Sequence, residues 1–344
     1  MSNQSGNISK AKIRKSLNLL IQVVIIIITY AFIYQQVFRR RDLPSSFSGF
    51  LETAEFPDFW PGIGGIFVLM LINWGIEAGK WKFIIDRLEK VSFFKSYKAV
   101  LTGISVSTFL PNRIGDFFGR VFILKNANPV QGILVTIAGD ISQFIVTAIM
   151  GLFGSLYMVP NLVDMSVGSR SYILYGMITA VPVVAFLLLI VYFNISLFSD
   201  LFSGIFKGRF SKYSDHFHVY RNYTKTDLLK ILLLSLLRYL VFSTQFYLLL
   251  RMFGVDIAVI VAFPIIFTIY LVITILPSIA ITALGIRGSV SIFLLALYFK
   301  STGGNPELYN LGVLAASTFL WLINIIIPAI VGTFFVFQLK FFRK

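Results

Sequence analysis

The chain has 344 residues, 57% hydrophobic and only 13% charged, where a soluble domain carries about a quarter charged residues, so a water-soluble fold is excluded and the bilayer must be the solvent. It has no cysteine and two histidines, His216 and His218, which excludes disulfide frameworks and thiolate sites and leaves no ordinary histidine-based catalytic or metal centre. The net charge of +15 is spread over loops and helix ends, which fits positive-inside bias and attraction to anionic lipid, not nucleic acid.

At the amino terminus Lys10, Lys12, Arg14 and Lys15 precede an apolar run over 17–38. The run is too long for a signal peptide and no small-residue cleavage site follows, so a retained first transmembrane helix is expected. Further apolar segments of spanning length, about 20 residues, lie at 64–86, 130–158, 171–194, 227–250, 256–276, 278–299 and 309–337. The expected fold is an all-α integral membrane protein of about eight transmembrane helices. It forms one polytopic domain over 17–338, between short tails 1–16 and 339–344.

One more apolar run, 97–124, is broken by Leu110-Pro111-Asn112-Arg113 and Gly115-Asp116. The basic stretches 1–16, 80–98 and 195–226 are assigned to the cytoplasm, and the loops 39–63 and 159–170 to the outside, although Arg39, Arg40 and Arg41 sit awkwardly there. Parity then makes the run 97–124 begin and end in the cytoplasm. It is either a re-entrant helix pair turning at Pro111 or two full helices. Polar backbone at membrane depth requires surrounding protein or a watery cavity. In the second half, 256–276 and 278–299 meet at Leu276-Pro277, and Gly285 follows Pro277 at the spacing by which Gly119 follows Pro111. This second broken element admits the same two readings, and together the two suggest an inverted repeat. Both termini are expected in the cytoplasm of a bacterial-type inner membrane.

An ionisable group in hydrocarbon costs roughly 2.5–3.5 kcal/mol on insertion scales, so each marks a candidate function. Asn73, Glu77, Lys80 and Trp81 form one polar stripe; Glu77 pairs either with Lys80 or with Arg113 or Arg120 at the broken run. That run carries Ser105, Ser107, Thr108, Asn112, Arg113, Asp116 and Arg120, with Gly115 and Gly119 allowing close backbone approach. Guanidinium groups, hydroxyls and a helix start after Pro111 suit a phosphate, against the plainer reading of an interfacial loop touching headgroups non-specifically. Asp140 is either a proton- or ion-coupling carboxylate or a partner for an arginine. Arg238, near the middle of its span, and Gln245, seven residues on, share a face and are expected in one polar cavity; the alternative pairs Arg238 with a carboxylate such as Asp140. Trp321, Asn324, Pro328 and Pro264 read as kink and packing residues.

The series Asn73, Glu77, Lys80-Trp81, then Gly103, Ser107-Thr108, Pro111, Arg113, Gly115-Asp116 and Gly119-Arg120, then Leu276-Pro277 and Leu284-Gly285-Ile286-Arg287 resembles the lysylphosphatidylglycerol synthase transmembrane, or flippase-like, family. The resemblance covers about 15–340 of the chain. It departs from the family pattern at Asp116 in place of Glu, at Thr282-Ala283 in place of Gly-Gly, and at Gly288 in place of a Glu. What the resemblance implies is translocation of an anionic or aminoacylated phospholipid, or of a polyprenyl-phosphate-linked lipid. The soluble aminoacyl-transferase domain of the full-length synthases has no counterpart here, so lipid synthesis is not expected. The implied substrate-binding set is Asn73, Glu77, Lys80, Ser107, Thr108, Asn112, Arg113, Asp116, Arg120, Asp140, Arg238, Gln245 and Arg287, with no catalytic residue, cofactor or metal. Two other functions stay open: an intramembrane glycosyl or phosphoryl transferase on lipid carriers, and a non-catalytic membrane partner of a separate lipid-modifying enzyme. A homo-oligomer is compatible with either.

Overall fold

The computed structural model describes residues 16–28, 30–31, 34, 59–108, 115–163, 165–195, 216–276 and 283–337. Within them the helices are α1 (Ser16–Ile28), α2 (Phe59–Ile85), α3 (Phe93–Ser107), α4 (Gly115–Val121), α5 (Pro129–Leu162), α6 (Val167–Phe193), α7 (Lys225–Met252), α8 (Val259–Ile275), α9 (Ala283–Ser301), α10 (Glu307–Trp321) and α11 (Ile327–Val336). A π-helical turn, Leu322–Ile326, joins α10 to α11. Six helical stretches are long and apolar enough to cross a membrane: α2, α5, α6, α7, α9 and the continuous run from α10 through α11. The apolar helices α1 and α8 are shorter and occupy two more of the expected spans. This is an all-α, multi-pass membrane protein.

Local signals set the helix starts. Ser92 accepts from Lys95 N–H at the head of α3. Asn128 followed by Pro129 opens α5, and Thr224 with Asp227 forms a capping box on α7; each satisfies amides that a helix end otherwise leaves without a partner.

The broken run 97–124 becomes α3 and α4. With 15 and 7 residues, at about 1.5 Å rise each, neither reaches the roughly 30 Å of a hydrocarbon core. The two pack against each other backbone to backbone. A methyl group on Gly119 would overlap Gly103, one on Gly115 would overlap the Val106 carbonyl, and one on Gly103 would overlap Asp116. The described parts of the two helices therefore pair as a hairpin shorter than a full span. Asn112, Arg113, Pro111 and Pro277 lie outside the described residues. The second broken element differs in scale, since α8 and α9 have 17 and 19 residues.

The two elements exchange partners. α3 packs on α11, and α8 packs on α5, so each broken element leans on the helix that follows the other. Both crossings use glycine: Gly332 of α11 lies against the Leu101 carbonyl and Ser105, whose hydroxyl donates to Ala329 O at 2.6 Å. Gly151 and Gly154 of α5 lie against the backbone carbonyls of Phe267 and Pro264. Small residues allow this approach in a membrane, where packing rather than the hydrophobic effect holds helices together.

At one end of the bundle Glu89 ties the α2–α3 loop to the α4–α5 connection. Its carboxylate accepts from the backbone N–H groups of Lys125 (2.9 Å), Asn126 (2.7 Å) and Ala127 (3.0 Å), and from Lys95 Nζ (2.8 Å). Burial works to raise its pKa, but the hydrogen bonds from Lys95 and the three amides prevail and hold it at about 2, below the ordinary 4.5. A depressed carboxylate stabilises the fold above its unfolded pKa and loses that contribution as the pH falls through its folded value. Melting curves in detergent should therefore show wild type losing stability between pH 4.5 and about 2, with Glu89→Gln less stable at neutral pH and flatter across that window. For the hairpin, Gly119→Leu should cost at least about 1–3 kcal/mol through overpacking and broaden or abolish the monodisperse size-exclusion peak. Gly64→Ala, placed in open space, should elute as wild type does.

Candidate functional site

Three charged residues one turn or less apart along α2 and α4, with a fourth on α7, meet around the Glu77 carboxylate. Glu77 Oε1 accepts from Arg120 at 2.7 Å, and Oε2 faces Lys80 Nζ at 2.8 Å and Arg238 at 3.4 Å. Glu77, Lys80 and Arg120 are almost completely buried. Isolated, each would be prohibitively costly in hydrocarbon; together they are tolerated because every charge faces an opposite one.

Arg120 makes further use of its fork. Its Nε and second terminal nitrogen donate to the two oxygens of Asp116, at 2.7 and 2.5 Å, one turn back on α4. Lys80 spends its remaining donors on the Gly139 carbonyl (3.3 Å) and Ser235 Oγ (3.4 Å), and Ser235 bonds Ser142 at 2.6 Å. Trp81 Nε1 donates to Thr136 at 3.0 Å. This network stitches α2, α4, α5 and α7 into one unit.

Arg238 is held more loosely. Besides Glu77 it reaches Gln143 Oε1 at 3.3 Å, and its guanidinium carbon lies 4.9 Å from the centre of the Trp74 ring, a cation–π distance. Beside it opens a cavity of about 180 Å³ lined by Asn73, Trp74, Gln143, Thr147, Arg238, Tyr239, Phe242, Tyr270, Thr274, Arg287, Trp321 and Asn324, among others. The lining thus brings α2, α5, α7, α8, α9 and the π-helical turn to one place. Four side-chain atoms of these residues, Asn73 Oδ1, Trp74 Nε1, Arg238 Nε and Tyr239 OH, have no hydrogen-bond partner among the described residues. Buried polar atoms are nearly always partnered in a protein, so this concentration of four beside one cavity sets the place apart from the rest of the interior.

A family model described as "Lysylphosphatidylglycerol synthase TM region" matches residues 19–332. The chain belongs to that family. Membership points to a membrane lipid-related function. Neither the curated proteins nor the solved structures yield a match.

The family motifs fall where the structure is tightest. Gly103, Gly115 and Gly119 make the hairpin, while Glu77, Lys80, Asp116 and Arg120 make the charge cluster behind the cavity. Arg238 and Arg287 stand in the cavity wall with Asn73. Asp140 has no ion pair among the described residues. The alternative reading, in which Arg238 pairs with a carboxylate, is also seen, with Glu77 rather than Asp140 as the acid. Ser107 and Thr108 turn their hydroxyls back onto the Ile104 carbonyl, at 2.9 and 2.7 Å, instead of presenting them to a phosphate. Gln245, expected beside Arg238, is fully buried and donates to Ile66 O at 3.1 Å, away from the cavity lining.

Several lining residues carried no expectation of binding. Trp321 and Asn324, read from sequence as packing residues, are in the wall, and Asn324 accepts from Asn73 at 3.3 Å. The π-helical turn rotates Asn324 inward; such turns recur at functional sites. Trp74, Tyr239 and Tyr270 gave no sequence signal beyond being aromatic.

Removing the shared carboxylate leaves buried cations unmatched, at a cost of about 3–5 kcal/mol. Glu77→Gln should therefore lower the thermal midpoint in detergent sharply, whereas Asp140→Asn should leave it nearly unchanged. A wild-type midpoint for Glu77→Gln is the result that rejects the network.

Proposed function

We propose that this protein moves a lipid with an anionic headgroup across the cytoplasmic membrane, binding the headgroup between Arg238 and Arg287 while the acyl chains stay in the bilayer. The observation that carries this reading is the cavity inside the membrane protein, with two guanidinium groups in its wall and four polar atoms beside it that lack a partner among the described residues. At about 180 Å³ it is smaller than the roughly 300–1,000 Å³ of sites that enclose a whole small molecule, a size suited to a headgroup but not to a lipid.

Arg238 supplies the chemistry. Its contacts to Glu77 and Gln143, at 3.4 and 3.3 Å, are long beside the 2.7–2.9 Å typical of charge-assisted bonds. A phosphate offers it a shorter, bidentate match, so the guanidinium can turn from Glu77 toward the guest. Glu77 remains neutralised by Lys80 and Arg120 when that happens. The role of Arg120, saturated by Asp116 and Glu77, is to hold the hairpin and the cluster in register, and Asp140, beside it, is the carboxylate available for coupling to a proton or ion. On this reading both termini lie in the cytoplasm, as the loop charges demand.

The test is translocation of a fluorescent anionic phospholipid in proteoliposomes. Arg238→Ala and Arg287→Ala should each lower the rate by about tenfold or more, the worth of a charge-assisted hydrogen bond, with folding retained. Arg238→Lys should recover only part of it, because a point charge lacks the planar fork. Wild-type rates in both alanine variants would reject the site.

A further inference from the structure

The cavity wall has a composition that the family description does not anticipate. It includes two arginines, and none of its described lining residues is a carboxylate. Glu77, one turn from Asn73, is already divided among Arg120, Lys80 and Arg238.

Two of the aromatic rings in the wall, the other means of holding a cation, already have neighbours. The Trp74 ring carries the Arg238 guanidinium. Tyr270 is packed by Phe242, Phe246 and Tyr239, with ring centres 5.2, 6.1 and 5.8 Å away. An ammonium group placed here would meet the Arg238 and Arg287 side chains and no carboxylate among the described lining residues, a juxtaposition that discriminates against a partner.

The atoms without partners sharpen the point. Arg238 Nε and Trp74 Nε1 can only donate, Asn73 Oδ1 can only accept, and Tyr239 OH does both. A phosphate, which only accepts, uses the first two; an ammonium, which only donates, cannot. Hydroxyl groups, donating and accepting at once, match the rest, together with the amide and hydroxyl groups of Gln143, Thr147, Thr274 and Asn324 in the same wall.

Resting on the lipid-headgroup reading above, we infer that the headgroup recognised is a phosphate joined to an uncharged polyol, a glycerol or a sugar, and that an aminoacyl headgroup bearing an ammonium is excluded. Two sources share this chemistry: a phosphatidylglycerol of the bilayer and a glycosylated polyprenyl phosphate.

The full-length protein in detergent is titrated with four short-chain probes: phosphatidylglycerol, a polyprenyl-phosphate monosaccharide, lysyl-phosphatidylglycerol and phosphatidic acid. Affinity is read by thermal shift and native mass spectrometry. Phosphatidylglycerol or the glycosylated lipid should bind at least about tenfold tighter than the lysyl lipid, and whichever is tighter identifies the source. Tyr239→Phe, which removes only a hydroxyl that has no partner, should weaken the polyol lipid severalfold and leave phosphatidic acid unchanged. Equal or tighter binding of the lysyl lipid overturns the inference and leaves the headgroup site standing; loss of that binding in Asp140→Asn would locate the overlooked carboxylate. Binding of none of the four probes overturns both readings.

Discussion

A carboxylate shared by three cations sets the architecture of this protein. Glu77 accepts from Arg120 through one oxygen and faces Lys80 and Arg238 through the other. These groups come from α2, α4 and α7, and the Lys80 donors extend the connection to α5. In water such pairs contribute little. Inside a bilayer the alternative to pairing is a bare charge in hydrocarbon, so the network admits few other arrangements of these helices. The division of partners is uneven, and the least tightly held cation, Arg238, faces the cavity.

The hairpin and the cavity are therefore parts of one construction. α4 is only seven residues long, and it is fixed by the Gly103–Gly119 contact on one side and by the Arg120 fork on the other. α8, α9 and the π-helical turn supply Tyr270, Arg287 and Asn324 to the wall. One face of the cluster is thus saturated and structural, and the other presents a guanidinium with alternatives.

Much of the fold is legible from composition alone. Span length locates the hydrophobic helices, and the spaced glycines Gly103, Gly115 and Gly119 mark where α3 and α4 approach each other. The partners of the charges are less legible, because Glu77 and Arg120 stand 43 positions apart in the chain and sequence cannot say which of several acids meets which arginine. Gln245 shows how a face argument fails. Seven residues return to nearly the same side of a helix, but they also climb about 10 Å along it, and the cavity lies at the depth of Arg238. Asn324 failed in the opposite sense: an α-helical reading places it among packing residues, and the extra residue of the π-helical turn, which has no compositional signature, brings it into the wall.

The partner exchange between the broken elements also bears on biogenesis. α3 rests on α11, which leaves the ribosome more than two hundred residues later. Until then the Leu101 carbonyl and the Ser105 hydroxyl lack the neighbour that Gly332 and Ala329 provide. The packing of α3 against α11 can accordingly form only after the carboxy-terminal half has been made.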